Sequence, residues 1–341
     1  MKHNVISIDL AKNVFQVCAL DQHNRVVLNK KVTRARLLPT LSQLEANFVV
    51  MEACYSSNAW GRALQAQGHV VKLIPPWQVK PFVVGNKTDH NDAVAIAEAA
   101  LRPRVRFVPV KSLAQQDLQS LARIRSRWIK QRTATINQLR GLLSEYGVYV
   151  HKGLAAALAS IGDTLEDSSN GLTAVARRFI RDLYEEILQL NLRIKQIEKQ
   201  SNALLEDNGD FQRLQSIGGI GPITATALVA AVGNASQFTN GRAMAAWIGL
   251  PPKLRGSGDT VVMGRITRRG NSELRRLFIH GARNVVRWCQ QRQDPFSRWI
   301  QRLLTRMHPC KAIVAVANKL ARVAWAVLTR KTLFNAAQAA Q

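Results

Sequence analysis

Between residues 5 and 74 the chain passes through five short β-rich runs, and the spacers between them leave few folds open. Residues 5–8, 14–20 and 25–32 follow one another across turn-length gaps, with Asp21-Gln22-His23-Asn24 reading as a hairpin turn. Residues 48–51 form a continuous apolar run suited to a buried strand. Residues 59–67 read as a helix closed by Gly68, and residues 70–74 as a further strand stopped by Pro75-Pro76. Residues 92–101 are Ala-rich and helical, with Asp89 to Asn91 around the N-terminus and Pro103 at the end. Three strands in a meander, then strand, helix and strand, describe a mixed sheet with helices packed on it.

Four carboxylates hold marked places in this pattern. Asp9 ends the first strand, Glu52 ends the run 48–51, and Asp89 and Asp92 lie three apart at a helix start, hence on one face. Adjacent strand ends in an open sheet can bring Asp9 and Glu52 to the same point. Four carboxylates that close repel one another unless a cation sits among them, and hard oxygen donors suit Mg²⁺ or Mn²⁺. A pair of such ions about 3.5–4 Å apart activates a nucleophile and stabilises the leaving oxygen of a phosphodiester.

The charge balance points to the same substrate. The chain has 341 residues, with 48 Lys or Arg against 22 Asp or Glu and a formal charge of +26. Residues 102–140 hold ten Lys or Arg and one acid, Asp117; residues 242–331 hold nineteen and three, Asp259, Glu273 and Asp294. The first hundred residues are nearly balanced. Such segregation suits an extended phosphate-binding surface on a neutral scaffold. An apolar fraction of 47% excludes a disordered chain. Cys18, Cys54, Cys289 and Cys310 lie far apart without a CxxC pair, which argues against a disulfide scaffold or a structural zinc site. No uncharged apolar run reaches the ~18 residues of a membrane span, and the N-terminus lacks a signal-peptide core. The expectation is a cytoplasmic, nucleoid-associated protein with no membrane partner.

The middle of the chain is helical. Ile180, Leu183, Ile187, Leu190, Ile194, Ile197 and Leu204 recur at steps of three and four, with Ser201 the polar position in the series. That is an a/d seam of a coiled coil. Periodicity does not say whether its partner is a second copy or residues 114–146; a self-dimer is the expectation. Residues 214–233, LQSIGGIGPITATALVAAVG, resemble a helix-hairpin-helix, in which the amides of Gly219 and Gly221 can meet a phosphate. Arg265, Arg268, Arg269, Arg275 and Arg276 form a further cluster able to clamp DNA or RNA phosphates. Trp247, Trp288, Trp299 and Trp325 read as core more than as base-stacking residues.

The order Asp, Glu, then Asp-x-x-Asp resembles the DEDD catalytic set of RuvC-type Holliday-junction resolvases. With it come MEAC (51–54), LIPPWQVKPFV (73–83), KTDHNDA (87–93), RFVPVKS (106–112), IGGIGPITATAL, NGRAMAAWIGLPP and GRITRRGNSELRRLFIHGAR. Together they resemble the DEDD-type transposases of bacterial insertion sequences, in the family known for bridge-RNA-guided recombination. The resemblance implies an α/β-plus-α chain: a ribonuclease-H-like (RuvC-like) catalytic domain at 1–110, a helical coiled-coil segment at 111–210 and a mostly helical C-terminal transposase domain at 211–341. It implies Asp9, Glu52, Asp89 and Asp92 as catalytic metal ligands for Mg²⁺ or Mn²⁺. It also implies a serine followed by glycine, five residues after a proline. Pro252 sets that slot and Ser257 fills it, as the nucleophile that would attack a DNA phosphate.

The implied partners are donor and target DNA, a guide (bridge) RNA encoded by the element, and further copies of the chain in a dimer or tetramer joined through the coiled coil. Departures from the family pattern are Tyr55 after Glu52-Ala53-Cys54, His90-Asn91 between the paired aspartates, and Asp259 after Ser257-Gly258. Two other readings fit parts of the chain. One is a structure-selective junction endonuclease with the same acids but water as nucleophile. The other is a non-catalytic basic nucleic-acid-binding protein.

Overall fold

A computed structural model of the protein describes residues 2–257 and 260–340, the side chains of Ser257 and Ala340 excepted. Its contacts divide the chain into two compact units, residues 1–113 and 114–341.

The first unit is built on a five-stranded mixed sheet in the order β3-β2-β1-β4-β5. The strands are β1 (His3–Asp9), β2 (Val14–Leu20), β3 (Val26–Thr33), β4 (Ala46–Glu52) and β5 (Val71–Ile74). β1, β2 and β3 form the expected antiparallel meander. β4 pairs parallel to β1, and β5 parallel to β4, a connection that needs a crossover. Helix α1 (Ser57–Ala66) supplies it, and the chain turns back beyond it at Gly68, whose φ of +89° favours glycine. Side chains alternate across the sheet, so each face has its own core. Ile6, Ile8, Val17, Val49, Met51 and Leu73 pack on the face that also holds Leu64 of α1. Val5, Cys18, Leu20, Val50 and Ile74 pack on the other, against helix α2 (Asp89–Ala100). The small residues Ala93, Ala97 and Ala100 let α2 lie close, and the buried Ser7 hydroxyl donates to the Ala93 carbonyl at 2.6 Å.

The second unit opens with three helices, α3 (Leu113–Ser144), α4 (Leu154–Glu166) and α5 (Ala174–Ala203). The apolar seam lies on α5, but the expectation that it joins two copies of the chain needs correction. Ile180 and Ile187 share a core with Ile136, Leu139 and Leu143 of α3 and Ile161 of α4. Arg125 reaches Glu198 at 2.6 Å, Arg132 reaches Asn191 at 2.6 Å, and Gln131 reaches Glu186 at 2.6 Å, so α3 and α5 run antiparallel. Ile187, Leu190, Ile194 and Ile197 are buried within one chain. The physical reason is local: a long helix of the same chain finds the stripe at high effective concentration before a second copy does. Ile187→Ala is therefore expected to cost about 2–5 kcal/mol of stability, measured by denaturant unfolding, with no dependence on protein concentration.

The rest of this unit is a bundle of α6 (Gly209–Gln215), α7 (Pro222–Val232), α8 (Gly241–Ile248), α9 (Ser272–Trp288), α10 (Pro295–Leu304) and α11 (Pro309–Arg330). Among them runs a hairpin of β6 (Pro252–Ser257) and β7 (Thr260–Ile266). Leu118 and Leu205 share one core with Leu228, Met244, Phe278, Ile300 and Leu320. The helical stretch expected at 111–210 and the stretch expected at 211–341 thus contribute to a common interior. Among the described residues, α11 alone has the length and composition to cross a membrane, and half of its apolar window is buried inside the protein. It is a core helix: Ala312, Val316, Leu320 and Ala324 are fully enclosed.

Candidate active site and nucleic-acid surface

Strand parity decides where the acids go. Val5 and Ser7 face α2, and Asp9 follows two residues later on the same side of β1. Val50 faces α2, and Glu52 follows on the same side of β4. The parallel register sets Ile8 beside Met51, so Asp9 and Glu52 leave neighbouring strand ends together. Thr88 caps α2, its hydroxyl accepting from the Asn91 amide at 3.2 Å, which places Asp89 and Asp92 in the first turn. Acids there are favoured by the helix dipole. His90 and Asn91, the residues between the paired aspartates, serve this turn. The Asn91 amide group donates to the Asn86 carbonyl at 2.8 Å, and the His90 carbonyl accepts from Asn29 at 3.3 Å.

Asp9 and Glu52 register the acids around them. Burial, then the charges of Asp92 and Asp89, pushes the Asp9 carboxyl up to about 6. Burial, then Asp9 and Asp92, raises Glu52. Lys87 is the cation that opposes both shifts. The Cys54 thiol beside them is pushed up to about 11 by burial, Glu52 and Asp9. None of the four carboxylates is in an ion pair among the described residues.

The donor set fits a hard divalent cation in its oxygen chemistry and in its uncompensated negative charge. The fit is one of chemistry: among the described residues, no three of His, Cys, Asp or Glu stand close enough together to hold an ion as they are.

Ser257 ends β6, where it pairs with Thr260 of β7. Its side chain, and all of Gly258 and Asp259, lie outside the described residues. The hairpin itself was missed by sequence reasoning, although the β-branched run at Val261 and Val262 signals a strand.

The five arginines beyond it divide into two groups. Arg265, Arg268 and Arg269 are exposed, on β7 and in the segment that follows. Arg275 is held in the fold instead, donating to the Ile248 carbonyl at 2.8 Å and to the Arg269 carbonyl at 3.2 Å. It thereby satisfies a carbonyl at the end of α8. Arg276 is paired with Glu273.

The glycine turn divides in the same way. Gly219, at φ +90°, lies against α9: a Cβ there would stand 2.6 Å from Val285 Cγ2 and 3.0 Å from the Gly281 carbonyl oxygen. Packing alone accounts for this glycine. Gly221, the N-cap of α7, is exposed and has open space around its Cα. Of the tryptophans, Trp247, Trp299 and Trp325 pack against the second unit's core, as expected, and Trp288 is 41% exposed.

Comparison with known proteins adds a consistent picture. The pattern described as "Transposase" for DEDD-type proteins matches residues 6–148, and that of the "Transposase IS116/IS110/IS902 family" matches residues 211–297. The chain is 44% identical over 331 residues to a "Probable family 20 transposase" of Pseudomonas aeruginosa, covering 97% of this chain and 98% of that one. It is 42% identical over 331 residues to the "Transposase for insertion sequence element IS1111A" of Coxiella burnetii, covering 97% and 91%. A more distant similarity, 24% over 351 residues and 98% of both chains, is to the "Pilin gene-inverting protein" of Moraxella bovis.

Proposed function

The chain belongs to the IS116/IS110/IS902 family of insertion-sequence transposases, and from that premise we propose that it cuts and exchanges DNA strands with a metal-dependent carboxylate site and a serine nucleophile. The observation that carries this reading is the register that sets Asp9 beside Glu52 on the sheet face covered by α2, whose first turn bears Asp89 and Asp92. Such a mixed sheet, with a meander followed by parallel β4 and β5, is the arrangement a ribonuclease-H-like domain needs.

In this reading Asp9, Glu52, Asp89 and Asp92 hold Mg²⁺ or Mn²⁺, which when bound neutralises their charge and polarises the scissile phosphodiester. Ser257 attacks phosphorus through its hydroxyl oxygen, giving up its proton. One P–O bond forms, the bond to the leaving sugar oxygen breaks, and that oxygen takes a proton. The reverse step on a new sugar hydroxyl rejoins the strand and frees the serine. A hydroxyl is a weak nucleophile, so a base must take its proton, a transfer that a bound ion would ease by making the hydroxyl more acidic. The relative named for inverting a gene supports exchange over simple hydrolysis, since inversion requires cut ends to be rejoined to new partners. The basic stretch 102–140 and exposed Arg265, Arg268 and Arg269 supply the surface for donor and target DNA, which leaves other cations of 242–331 available to a guide RNA. Exchange between two duplexes calls for more than one copy of the chain. With the α5 seam filled from within, contacts between copies fall to other surfaces.

The test is a recombination assay with the element's RNA added or omitted, run on wild type and Ser257→Ala. The wild type is expected to recombine only with RNA and to leave a protein–DNA adduct that survives denaturation. Ser257→Ala is expected to bind nucleic acid normally and form no adduct. Cleavage by Ser257→Ala at the wild-type rate would assign the attack to water, as in a junction endonuclease. Binding without cleavage by the wild type under any metal condition would leave only a basic binding protein.

A further inference from the structure

The second unit contains a cleft that the proposed chemistry does not use. It encloses about 430 Å³ between the start of α8, one side of α11 and the chain beyond α11. Arg242, Lys319, Arg322 and Arg330 line it, with Trp325 and Leu333, and no Asp or Glu is among the lining residues. None of these four cations is in an ion pair among the described residues, whereas nearby Lys331 is fixed on Asp210 at 2.8 Å.

Lys319 is the informative member. It is 9% exposed, and its ammonium stands 5.6 Å from the Trp299 ring centroid. Burial and, second, the adjacent Arg322 push it below the usual lysine range. Its stem is buried while its ammonium still reaches solvent, where an acidic partner would ordinarily neutralise it. Among the described residues no acid takes that place. The start of α8 adds to the positive field: Gly241 and Arg242, its first two residues, line the cleft. That helix start is pressed onto α11, since a Cβ on Gly241 would stand 3.0 Å from the Arg322 Cα and carbonyl oxygen. The Trp325 indole N–H donates to the Phe238 carbonyl at 3.2 Å, which holds the ring in place. Leu333 is 68% exposed on the rim.

We propose that this cleft binds a phosphate of a single-stranded nucleic-acid segment, with the neighbouring base against Trp325 and Leu333. The inference rests on the chain acting on nucleic acid. The choice of a single strand follows from shape. Phosphates of a duplex lie on a stiff convex cylinder, which exposed arginines can touch but which cannot be lowered onto an amine recessed in a cleft. A single strand can turn one phosphate inward and lay its base on an apolar wall.

The test measures binding of short labelled single strands of RNA and of DNA, and of a duplex of the same sequence, by fluorescence anisotropy over a series of KCl concentrations. Lys319→Met keeps the apolar stem and removes the charge; Lys319→Arg restores the charge. Arg242→Glu alters an exposed side chain, so it carries the test even if the buried substitution disturbs folding, which circular dichroism checks. The expected result is that Lys319→Met and Arg242→Glu each weaken single-strand binding about tenfold at low salt. The slope of log K against log salt should become shallower by about 0.7 for each phosphate that the variant no longer neutralises. Duplex affinity should stay within twofold of wild type, roughly, and Lys319→Arg should recover most of the loss. The RNA and DNA arms show which strand the cleft takes. Equal losses on duplex and single strand, or no loss on either, would overturn the inference and leave the transposase reading standing. So would adenosine monophosphate binding abolished by the variants while strand binding is untouched. Failure of the wild type to bind any of the three nucleic acids would overturn both.

Discussion

Asp9→Asn is expected to lower strand cleavage by on the order of a thousandfold, about 4 kcal/mol of barrier, while raising the thermal stability of the metal-free protein above neutral pH. The two effects have one cause. Asp9 is half-buried among like charges, and its carboxyl is held near 6 against an ordinary value of 3.8. A carboxyl whose value rises on folding favours the folded state most when protonated. Its contribution is fully present below 3.8 and is lost as pH climbs through about 6. At pH above that window the ionised Asp9 opposes folding, and Asn removes the charge without removing the volume. The gain in Tm over wild type should therefore be present in EDTA at alkaline pH and vanish in acid. Mg²⁺ or Mn²⁺ should raise the wild-type Tm and raise that of the variant much less, because a donor and a negative charge are gone. Thermal melts of both proteins across pH, with and without metal, check each part. A variant less stable than wild type in EDTA at alkaline pH, or equally responsive to metal, would refute the assignment of Asp9 as a ligand. Undiminished cleavage would remove it from the chemistry.

The first unit was legible because strands and acids announce themselves locally. Successive side chains point to opposite faces of a strand, so Asp9 inherits its side of β1 from Val5 and Ser7. The spacing of Asp89 and Asp92 marks a helix start in the sequence itself, although the helix, capped by Thr88, begins at Asp89 and not at the expected residue 92. The second unit was less legible because its key choices are made at long range. The α5 seam identifies a stripe and says nothing of its occupant; the answer lay in Arg125, Gln131 and Arg132, which reach Glu198, Glu186 and Asn191 from a helix more than fifty residues away. Arg275 looked like its neighbours in a basic run, yet its guanidinium serves the Ile248 carbonyl, a group brought close only by the fold. Lys319 likewise looked like one more basic residue, and only packing shows that it lies recessed in a cleft that no acid lines. Charge counting locates a surface, but it does not tell which cations are free to meet a phosphate.

Gly281→Val is expected to damage the second unit severely, costing about 4 kcal/mol. A Cβ on Gly281 would fall 2.0 Å from the carbonyl oxygen of Gly219, a backbone atom that cannot step aside as a side-chain tip can. Accommodation therefore means separating α9 from the turn before α7 and opening the core that Phe278, Ala282 and Val285 share with Ile217 and Ile220. Valine adds its poor fit to a helix interior. Gly221→Ala, two residues along the same turn from Gly219, meets nothing within 4 Å at an ordinary negative φ of −86° and should leave stability within about 0.5 kcal/mol. Denaturant unfolding gives the two energies. Hydrogen exchange gives their location: Gly281→Val should speed exchange in α7 and α9 and leave the amides of β1 and β4, which belong to separate cores, as protected as before. The pair also separates the two uses of this turn. If Gly281→Val is tolerated, the turn is not held by close backbone packing, and the left-handed Gly219 needs another explanation. If Gly221→Ala leaves the fold intact yet weakens DNA binding, the open end of the turn meets phosphate while its buried half serves the core.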